Sequence, residues 1–300
     1  RLYYGKSKGT LETKTALKSR NGVTTSGSYG LFSIELAGGE YWWVEGNATK
    51  DIFLRGGKFY PSSGAIRHMT AKCVEDSPAQ IVFDGGEAVM QAKSNTSYEF
   101  LHLQETYDMP EYLRAYVAAR GGRLTAKRPN GRTGDFTFSF PLQFQTCTNT
   151  GTSGTLAFSG WGDFTFGAPM ALNGPVAFRD GTAVLSAKQL AGGAAPFGTG
   201  DLYLRSARLF CDARTGAGHG VSEIPLVTGA ESALVYEGAC EIAARHANAN
   251  TAAKAITISS IRRAGKGSVL FLRDGVSDNS TFRRIGEGSY STVKLANPPA

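Results

Sequence analysis

Two aspartates occupy equivalent places in a repeated pentapeptide, and paired carboxylates are the residues best suited to do chemistry here. Gly-Asp-Phe-Thr-Phe occurs at residues 134–138 and again at 162–166. Carboxyl groups held roughly 5–10 Å apart can hydrolyse a glycosidic bond. Asp135 and Asp163 are therefore catalytic candidates, although an Asp beside Gly at a strand entrance more often accepts backbone hydrogen bonds in a turn. The other close carboxylate pairs are Glu40 with Glu45 and Asp84 with Glu87.

Other catalytic signatures are absent from the sequence. There is no Gly-x-Ser-x-Gly nucleophile elbow, no HExxH zinc motif and no phosphate-binding glycine pattern. The four cysteines contain no CxxC pair, so a zinc ribbon is not indicated, and they are either isolated thiols or a disulfide. We therefore predict a protein that is not an enzyme and that holds no cofactor and no metal.

Paired aromatic and arginine residues are candidates for contacts with a partner. Neighbouring residues in a strand face opposite sides, so one member of each pair Trp42–Trp43, Arg262–Arg263 and Arg283–Arg284 is expected at the surface. Two further arginines flank a Pro-Asn-Gly turn in a basic loop. The predicted contact residues are Trp42, Trp43, Arg128, Arg132, Arg262, Arg263, Arg283 and Arg284.

The charge of the chain is concentrated at its two ends. The net charge is +7, with six Lys/Arg and one Glu in residues 1–24, and nine Lys/Arg and three acids in residues 242–300. The middle of the chain is mildly acidic. Basic ends can bind an acidic neighbouring surface or phosphate groups, so a weak contact with nucleic acid through these ends is a further possible interaction. No apolar run approaches the roughly 20 residues that span a bilayer, so no membrane partner is expected.

Strands must position these residues. Phe136, Phe138, Phe140, Leu142 and Phe144 occupy every second position, which predicts one face of an extended ribbon. Gly-Gly pairs at 38–39, 56–57 and 85–86 lie between strand-like runs and predict β-hairpins in a meander. Residues 109–120 predict a helix, with Asp108 as its cap, Pro110 in its first turn and Gly-Gly after it.

The fold class predicted from these elements is mainly β. We expect antiparallel sheets of the β-sandwich or barrel type, with long loops and one or two short helices. The predicted organisation is a basic N-terminal arm at 1–26, a β domain at 27–150 and a second β sub-domain at 151–300 with a basic C-terminal part. A single domain is the alternative.

The function predicted from the sequence is structural. Extended basic ends, long loops and strand edges suit a self-assembling homo-oligomer whose partners are copies of itself and neighbouring virion-type proteins. A bacteriophage virion component, such as a coat, tail or decoration protein, is the preferred setting. One alternative is a carbohydrate-binding or adhesin module that uses exposed aromatics, located extracellularly or at a cell surface. A second alternative is a β-rich hydrolase.

Overall fold

The computed structural model describes about three fifths of the chain, in segments separated by gaps. The described residues are 2–4, 10–12, 33–42, 51–61, 79–91, 97–100, 113–127, 137–140, 142–160, 162–185, 195–212, 223–246, 255–276, 282–284 and 292–295. The chain forms two units, Arg1–Leu156 and Ala157–Ala300.

Every regular element in the described residues is a β-strand. The first unit contains β1 (Leu2–Tyr4), β2 (Thr10–Glu12), β3 (Ser33–Trp42), β4 (Asp51–Tyr60), β5 (Ala79–Phe83), β6 (Glu87–Gln91), β7 (Ser97–Glu99), β8 (Leu113–Val117), β9 (Gly122–Lys127), β10 (Thr137–Phe140) and β11 (Phe144–Thr146). β12 (Leu156–Gly160) begins at the boundary. The second unit contains β13 (Asp163–Phe166), β14 (Val176–Arg179), β15 (Thr182–Leu185), β16 (Leu202–Arg205), β17 (Arg208–Asp212), β18 (Glu223–Val227), β19 (Leu234–Glu237), β20 (Ala239–His246), β21 (Ala255–Ile258), β22 (Ile261–Arg263), β23 (Val269–Val276), β24 (Phe282–Arg284) and β25 (Thr292–Leu295).

The strands pair in parallel, which overturns the predicted antiparallel sandwich or barrel. In the second unit β14 pairs with β16, while β15, which lies between them in the chain, pairs with β17 in another sheet. The chain therefore alternates between sheets and returns beside its previous pass, which makes this unit a parallel β-solenoid. β23 and β24 form the one antiparallel pair recorded among the described strands. The predicted all-β character is confirmed.

The same coiling builds the first unit. Ile52–Leu54 of β4 pair with Ile81–Phe83 of β5, which pair in turn with Ala115–Val117 of β8. The second half of β4 pairs instead with β6, and β6 pairs with β9. Between two strands that pair in parallel, the chain therefore makes one complete coil. This agrees with the long crossover connection that parallel pairing requires.

The core consists of rows of apolar side chains that stack from coil to coil. Val176, Leu202, Leu234 and Ile261 are in register on four successive strands and are all buried. Rings fill the rest of the second unit, where Phe178 stacks on Phe158 with centroids 5.2 Å apart. Burial of such rows is the main stabilising term, because each coil covers the apolar face of the next.

The predicted helix at 109–120 is wrong over its described part. Residues 113–117 form β8, in which Ala115 and Val117 point into the core and are fully buried. Backbone pairing with β5 on one side and β11 on the other satisfies the amides of this segment, and that pairing outweighs the local helical spacing. Residues 109–112 lie outside the described part of the chain.

The predicted hairpins at the Gly-Gly pairs are wrong, because Gly38–Gly39 and Gly56–Gly57 lie inside the long strands β3 and β4, and Gly85–Gly86 form a corner between β5 and β6. β5 and β6 flank Gly85 and Gly86, yet each pairs with a strand of another coil and neither pairs with the other. A Cβ on Gly86 would lie 2.8 Å from Leu54 Cβ, and a Cβ on Gly122 would lie 2.6 Å from Phe83 Cβ. Glycine is required at these corners because successive coils approach each other closely there.

The aromatic run after residue 136 is divided between two sheets. Phe138 and Phe140 lie in β10, whereas Phe144 lies in β11, which belongs to another sheet. All three are buried together with Leu142. The predicted alternation of buried side chains is confirmed, but the predicted single extended ribbon is wrong, because β10 and β11 belong to different sheets. Phe136 lies outside the described residues.

Candidate interaction surface

The structure places the eight predicted contact residues in three groups. Arg262 and Arg263 lie in β22 with exposed side chains. Trp42 lies in β3, and Arg283 and Arg284 lie in β24, where only the backbone is described. The remaining three lie outside the described residues: Trp43, Arg128 and Arg132. Of the eight residues, therefore, only Arg262 and Arg263 have described side chains.

Arg262 belongs to a network centred on Asp201. Its Nη2 lies 2.8 Å from Asp201 Oδ2, and the hydroxyl of Tyr203 donates to the same oxygen at 3.0 Å. The backbone N–H of Ala233 donates to the other carboxylate oxygen at 2.8 Å. Tyr203, Val235 and Arg262 are in register on β16, β19 and β22. The network therefore clamps three successive coils on the outer face of the sheet.

The network sets the properties of Tyr203. Burial and the hydrogen bond to Asp201 raise the pKa of this hydroxyl above its ordinary value, so it stays protonated at neutral pH. About a third of the side chain remains exposed (37%). Its hydroxyl is anchored while part of its ring faces solvent, beside an exposed guanidinium. An aromatic body with a fixed polar end is suited to contacts with a partner surface.

Further ion pairs join neighbouring coils of the second unit. Arg205 Nε lies 3.5 Å from Glu237 Oε2, and Arg208 Nε lies 3.6 Å from Glu241 Oε2. Each pair joins residues that are in register on adjacent strands. The arginines are exposed, so these contacts contribute little to stability individually. They give the outer faces of the coils a mixed charge.

The most apolar part of the described surface is in β23. Val269 is 48% exposed and Phe271 is 44% exposed. Both point away from the core, whereas Leu270 and Leu272 point inward and are only half-buried. β23 pairs with β20 along its whole length, but β24 covers only residues 273–275 of its other edge. Residues 269–272 therefore combine apolar side chains with a strand edge that no described strand covers.

Sequence reasoning did not identify this strand as an exposed apolar surface. The run Val-Leu-Phe-Leu at 269–272 is apolar at every position, so a strand made of it has two apolar faces. In a strand that packs on only one side, one of these faces must meet solvent or a partner. That pattern was the available signal.

The outer face of the first unit carries rows of alternating charge. Glu40, Lys58, Glu87 and Arg123 are in register on β3, β4, β6 and β9. Tyr60, beside this row, donates to Glu40 Oε1 at 3.1 Å, and burial together with Glu40 raises the pKa of Tyr60 to about 12. Opposite charges on neighbouring strands stabilise the stacking of the coils.

Of the carboxylate pairs proposed for hydrolysis, only Asp84 with Glu87 lies wholly in the described residues, and each of these two carboxylates is engaged by another side chain. Asp84 is bound by Arg120, which holds the pKa of that carboxyl below its usual value, while Glu87 accepts a hydrogen bond from Thr125 Oγ1. Glu45 and Asp135 lie outside the described part of the chain. Within that part, no three His, Cys, Asp or Glu side chains form a group that could hold a metal ion.

Two thiols are described, and both are free. Cys147 is half-buried, and Cys240 is buried with its Sγ 3.3 Å from the carbonyl oxygens of Leu204 and Glu237. The side chains of Cys73 and Cys211 lie outside the described part of the structure, so the predicted alternative of a disulfide is not tested for them. No helix in the described residues is long and apolar enough to cross a membrane.

Comparison of the chain with protein-family models, with curated protein sequences and with solved structures finds no match. The surface described above is therefore the basis for a proposal of function.

Proposed function

We propose that this chain is a non-enzymatic structural protein that assembles with copies of itself. The observation that carries the proposal is the exposure of two apolar side chains, Val269 and Phe271, on the same face of β23. Exposed apolar patches on a protein surface often mark the sites that contact another chain. The preferred setting is a bacteriophage virion, in which the chain serves as a coat, tail or decoration protein.

The parallel coils favour a structural role in a second way. Stacked coils contact only their neighbours, so the outer faces of the coils remain available for contacts with other proteins. Those faces carry many exposed arginines in the second unit, including Arg205, Arg262 and Arg263. Exposed cations can steer acidic neighbouring proteins toward this surface, and a weak contact with nucleic acid through the basic ends remains part of the proposal.

The proposal is tested by measuring the molar mass of the pure protein by light scattering over a wide range of concentrations. We expect the mass to rise with concentration, and negative-stain images to show a defined particle. Phe271→Ser should shift the association to higher concentration. Tyr203→Ser is the matched control, because it removes another large exposed aromatic side chain, which lies in a different sheet. A protein that stays monomeric at every concentration and salt would contradict the proposal.

A second candidate function, glycan binding, is favoured by the anchored ring of Tyr203 beside Arg262. A partly exposed ring can stack on a sugar, while a guanidinium can form paired hydrogen bonds with a sugar carboxylate. Binding of acidic oligosaccharides should then be lost in Tyr203→Ala and weakened in Arg262→Gln, as measured by calorimetry. Phe271→Ala is the control, since it removes an exposed ring outside the network. Equal binding by all variants would exclude this surface as the glycan site.

A further inference from the structure

Two arginines lie side by side on the outer face of the second unit. Arg179 ends β14 and Arg205 ends β16, and the two residues are in register on these neighbouring parallel strands. Phe178 and Leu204, which precede them, are buried in the core, so both arginines point outward. Neighbouring strands lie about 4.8 Å apart, so the two side chains leave the sheet next to each other.

This pair departs from the rule that the other charges of the described strands follow. Where other charged residues of the described part are in register on neighbouring parallel strands, their signs are opposite, as for Arg208 with Glu241 and Lys58 with Glu87. Like charges on directly opposite residues are destabilising. Because natural proteins break such local rules mainly at functional sites, the pair of Arg179 and Arg205 is a candidate site for an anionic group.

The positive charge of the pair is only partly balanced. Arg205 Nε lies 3.5 Å from Glu237 Oε2, and within the described residues the side chain of Arg179 forms no hydrogen bond or ion pair. Asp180 follows β14 in the left-handed conformation, with a φ of 58°, so its exposed side chain leaves the chain at the corner beyond the sheet. The two guanidinium groups therefore share one carboxylate on the face of the sheet, which leaves a positive charge for a second, external carboxylate.

The two arginines adjoin the ring of Tyr203. Tyr203 and Arg205 point outward from the same strand two positions apart, so their Cα atoms are about 6.6 Å apart. Ala177 is in register with Tyr203 and lies two positions before Arg179, and its small side chain leaves room beside the ring. Arg262 lies on the other side of Tyr203, in β22. One patch thus combines a partly exposed ring with two neighbouring cations.

We propose that Arg179 and Arg205 bind a carboxylate of an acidic oligosaccharide whose neighbouring sugar stacks on Tyr203. The proposal rests on the second candidate function, glycan binding, and adds an acidic subsite to that surface. Guanidinium groups match carboxylates in geometry and form charge-assisted hydrogen bonds with them. Arg262 already has a carboxylate partner, since its Nη2 lies 2.8 Å from Asp201 Oδ2. The charge at Arg179 is therefore more readily available to a ligand.

Calorimetry with trisaccharides tests the subsite. The acidic probes are trimannuronate and trigalacturonate, which carry a carboxylate on every sugar, and mannotriose is the uncharged counterpart of trimannuronate. Arg179→Gln and Arg205→Gln should each weaken the binding of the acidic probe about tenfold, because each removes hydrogen bonds to a charged group. Neither change should affect mannotriose. Thermal unfolding of each variant checks that the fold is retained.

Arg208→Gln is the matched control for the loss of a positive charge. Arg208 is exposed and lies just beyond the same corner, but it belongs to β17 of the other sheet and pairs with Glu241. It should leave the affinity for the acidic probe nearly unchanged. Asp180→Asn should bind the acidic probe at least as tightly as the wild type, since it removes a nearby negative charge and Asn tolerates the left-handed conformation.

Each other outcome overturns the inference in a distinct way. Equal weakening by Arg208→Gln would show a general attraction between a basic surface and an acidic ligand. Acidic probes whose binding depends on Tyr203 but not on Arg179 or Arg205 would overturn the subsite and leave the glycan candidate standing. Failure of both acidic trisaccharides to bind the wild type would overturn both, and binding of a short single-stranded DNA in their place would assign the arginines to nucleic acid.

Discussion

The guanidinium of Arg120 donates hydrogen bonds to both carboxylate oxygens of Asp84. Nε lies 3.0 Å from Oδ1, and Nη2 lies 2.8 Å from Oδ2. The two residues lie at equivalent corners of successive coils, after β5 and after β8, so the pair joins one pass of the chain to the next. On the preceding strands, Arg55 Nε of β4 lies 2.8 Å from Glu35 Oε1 of β3. Ion pairs thus join neighbouring passes of the chain at two places in the first unit.

Asp84→Asn should destabilise the protein at neutral pH but not in acid. The hydrogen bond from Arg120 lowers the pKa of Asp84, so the contribution to stability is present above the unfolded pKa of about 3.9 and is lost as pH falls through the lower folded value. Since the Arg120 side chain is 55% exposed, we expect a loss of only about 0.5–1 kcal/mol. Urea unfolding of both proteins near neutral pH and well below pH 4 measures it.

The control for this pair is the double variant with Arg120→Gln. Once Arg120 is gone, Asp84→Asn should have little further effect, since the partner that favours the charged carboxylate is absent. An effect of Asp84→Asn that is the same with and without Arg120, or that persists unchanged in acid, would show that the ion pair does not stabilise the corner.

Gly121→Ala should be more destabilising than Gly151→Ala. The two glycines have similar positive φ values, 67° and 63°, so the cost of the left-handed conformation, about 1–2 kcal/mol, is common to both. A Cβ at Gly121 would collide with the backbone of Thr155, whose amide nitrogen would be only 2.8 Å away, whereas a Cβ at Gly151 would meet nothing within 4 Å. We expect an additional loss of about 1–3 kcal/mol for Gly121→Ala. Chemical denaturation of the two variants compares them, and equal losses would mean that the coils can separate at this corner without cost.

Phe178→Ala should cost about 3–5 kcal/mol, because the cavity cannot close. The ring stacks on Phe158 and meets Phe197 edge-on, with both centroid distances 5.2 Å. It is fully buried. Phe271→Ala is the matched control, since that ring is 44% exposed, and at a dilution where the protein is monomeric its cost should stay within about 0.5 kcal/mol. Thermal and urea unfolding measure both, and similar losses would contradict the assignment of Phe178 to the core.

The alternation of apolar residues could be predicted from the sequence, whereas the pairing could not. Phe138, Phe140, Phe164 and Phe166 repeat every second position, and all four are buried. Period-two alternation is the same in parallel and antiparallel strands, so it does not say which strands are neighbours. Each strand pairs with a strand that the chain reaches only after a complete coil. The residues of one strand do not identify that partner.

The sequence does contain a repeated pattern that indicates parallel coils, although the prediction of hairpins did not use it. Gly-Gly is followed by a charged residue four times, at Glu40, Lys58, Glu87 and Arg123, and these four are in register. A single Gly-Gly pair, considered without the others, is as compatible with a hairpin turn as with a corner of a solenoid. Only the recurrence, with alternating sign of the following charge, indicates stacking of equivalent positions. The all-apolar run at 269–272 indicated that one face of β23 would be apolar and exposed, but which face is exposed followed only from the structure.

The hydroxyl of Tyr60 should ionise at a clearly higher pH than the hydroxyls of the exposed tyrosines. The side chain is only 6% exposed, it donates to Glu40, and Lys127 Nζ lies 5.8 Å from its ring centroid. Burial first, and Glu40 second, raise the pKa of Tyr60 to about 12. Since the folded value lies above the unfolded value of about 10, this group stabilises the fold fully below pH 10 and loses that contribution as pH rises through 12.

Glu40→Gln separates the two causes. It removes the negative charge beside the hydroxyl but leaves the burial, so the pKa of Tyr60 should fall below 12 and stay above about 10. The change in tyrosinate absorbance with pH, taken as the difference between each protein and its Tyr60→Phe variant, isolates this residue from the other tyrosines. If Tyr60 ionised together with the exposed tyrosines, the outer face of β4 would have to be open to water. If Glu40→Gln left its pKa unchanged, the hydrogen bond to Glu40 would not contribute to it.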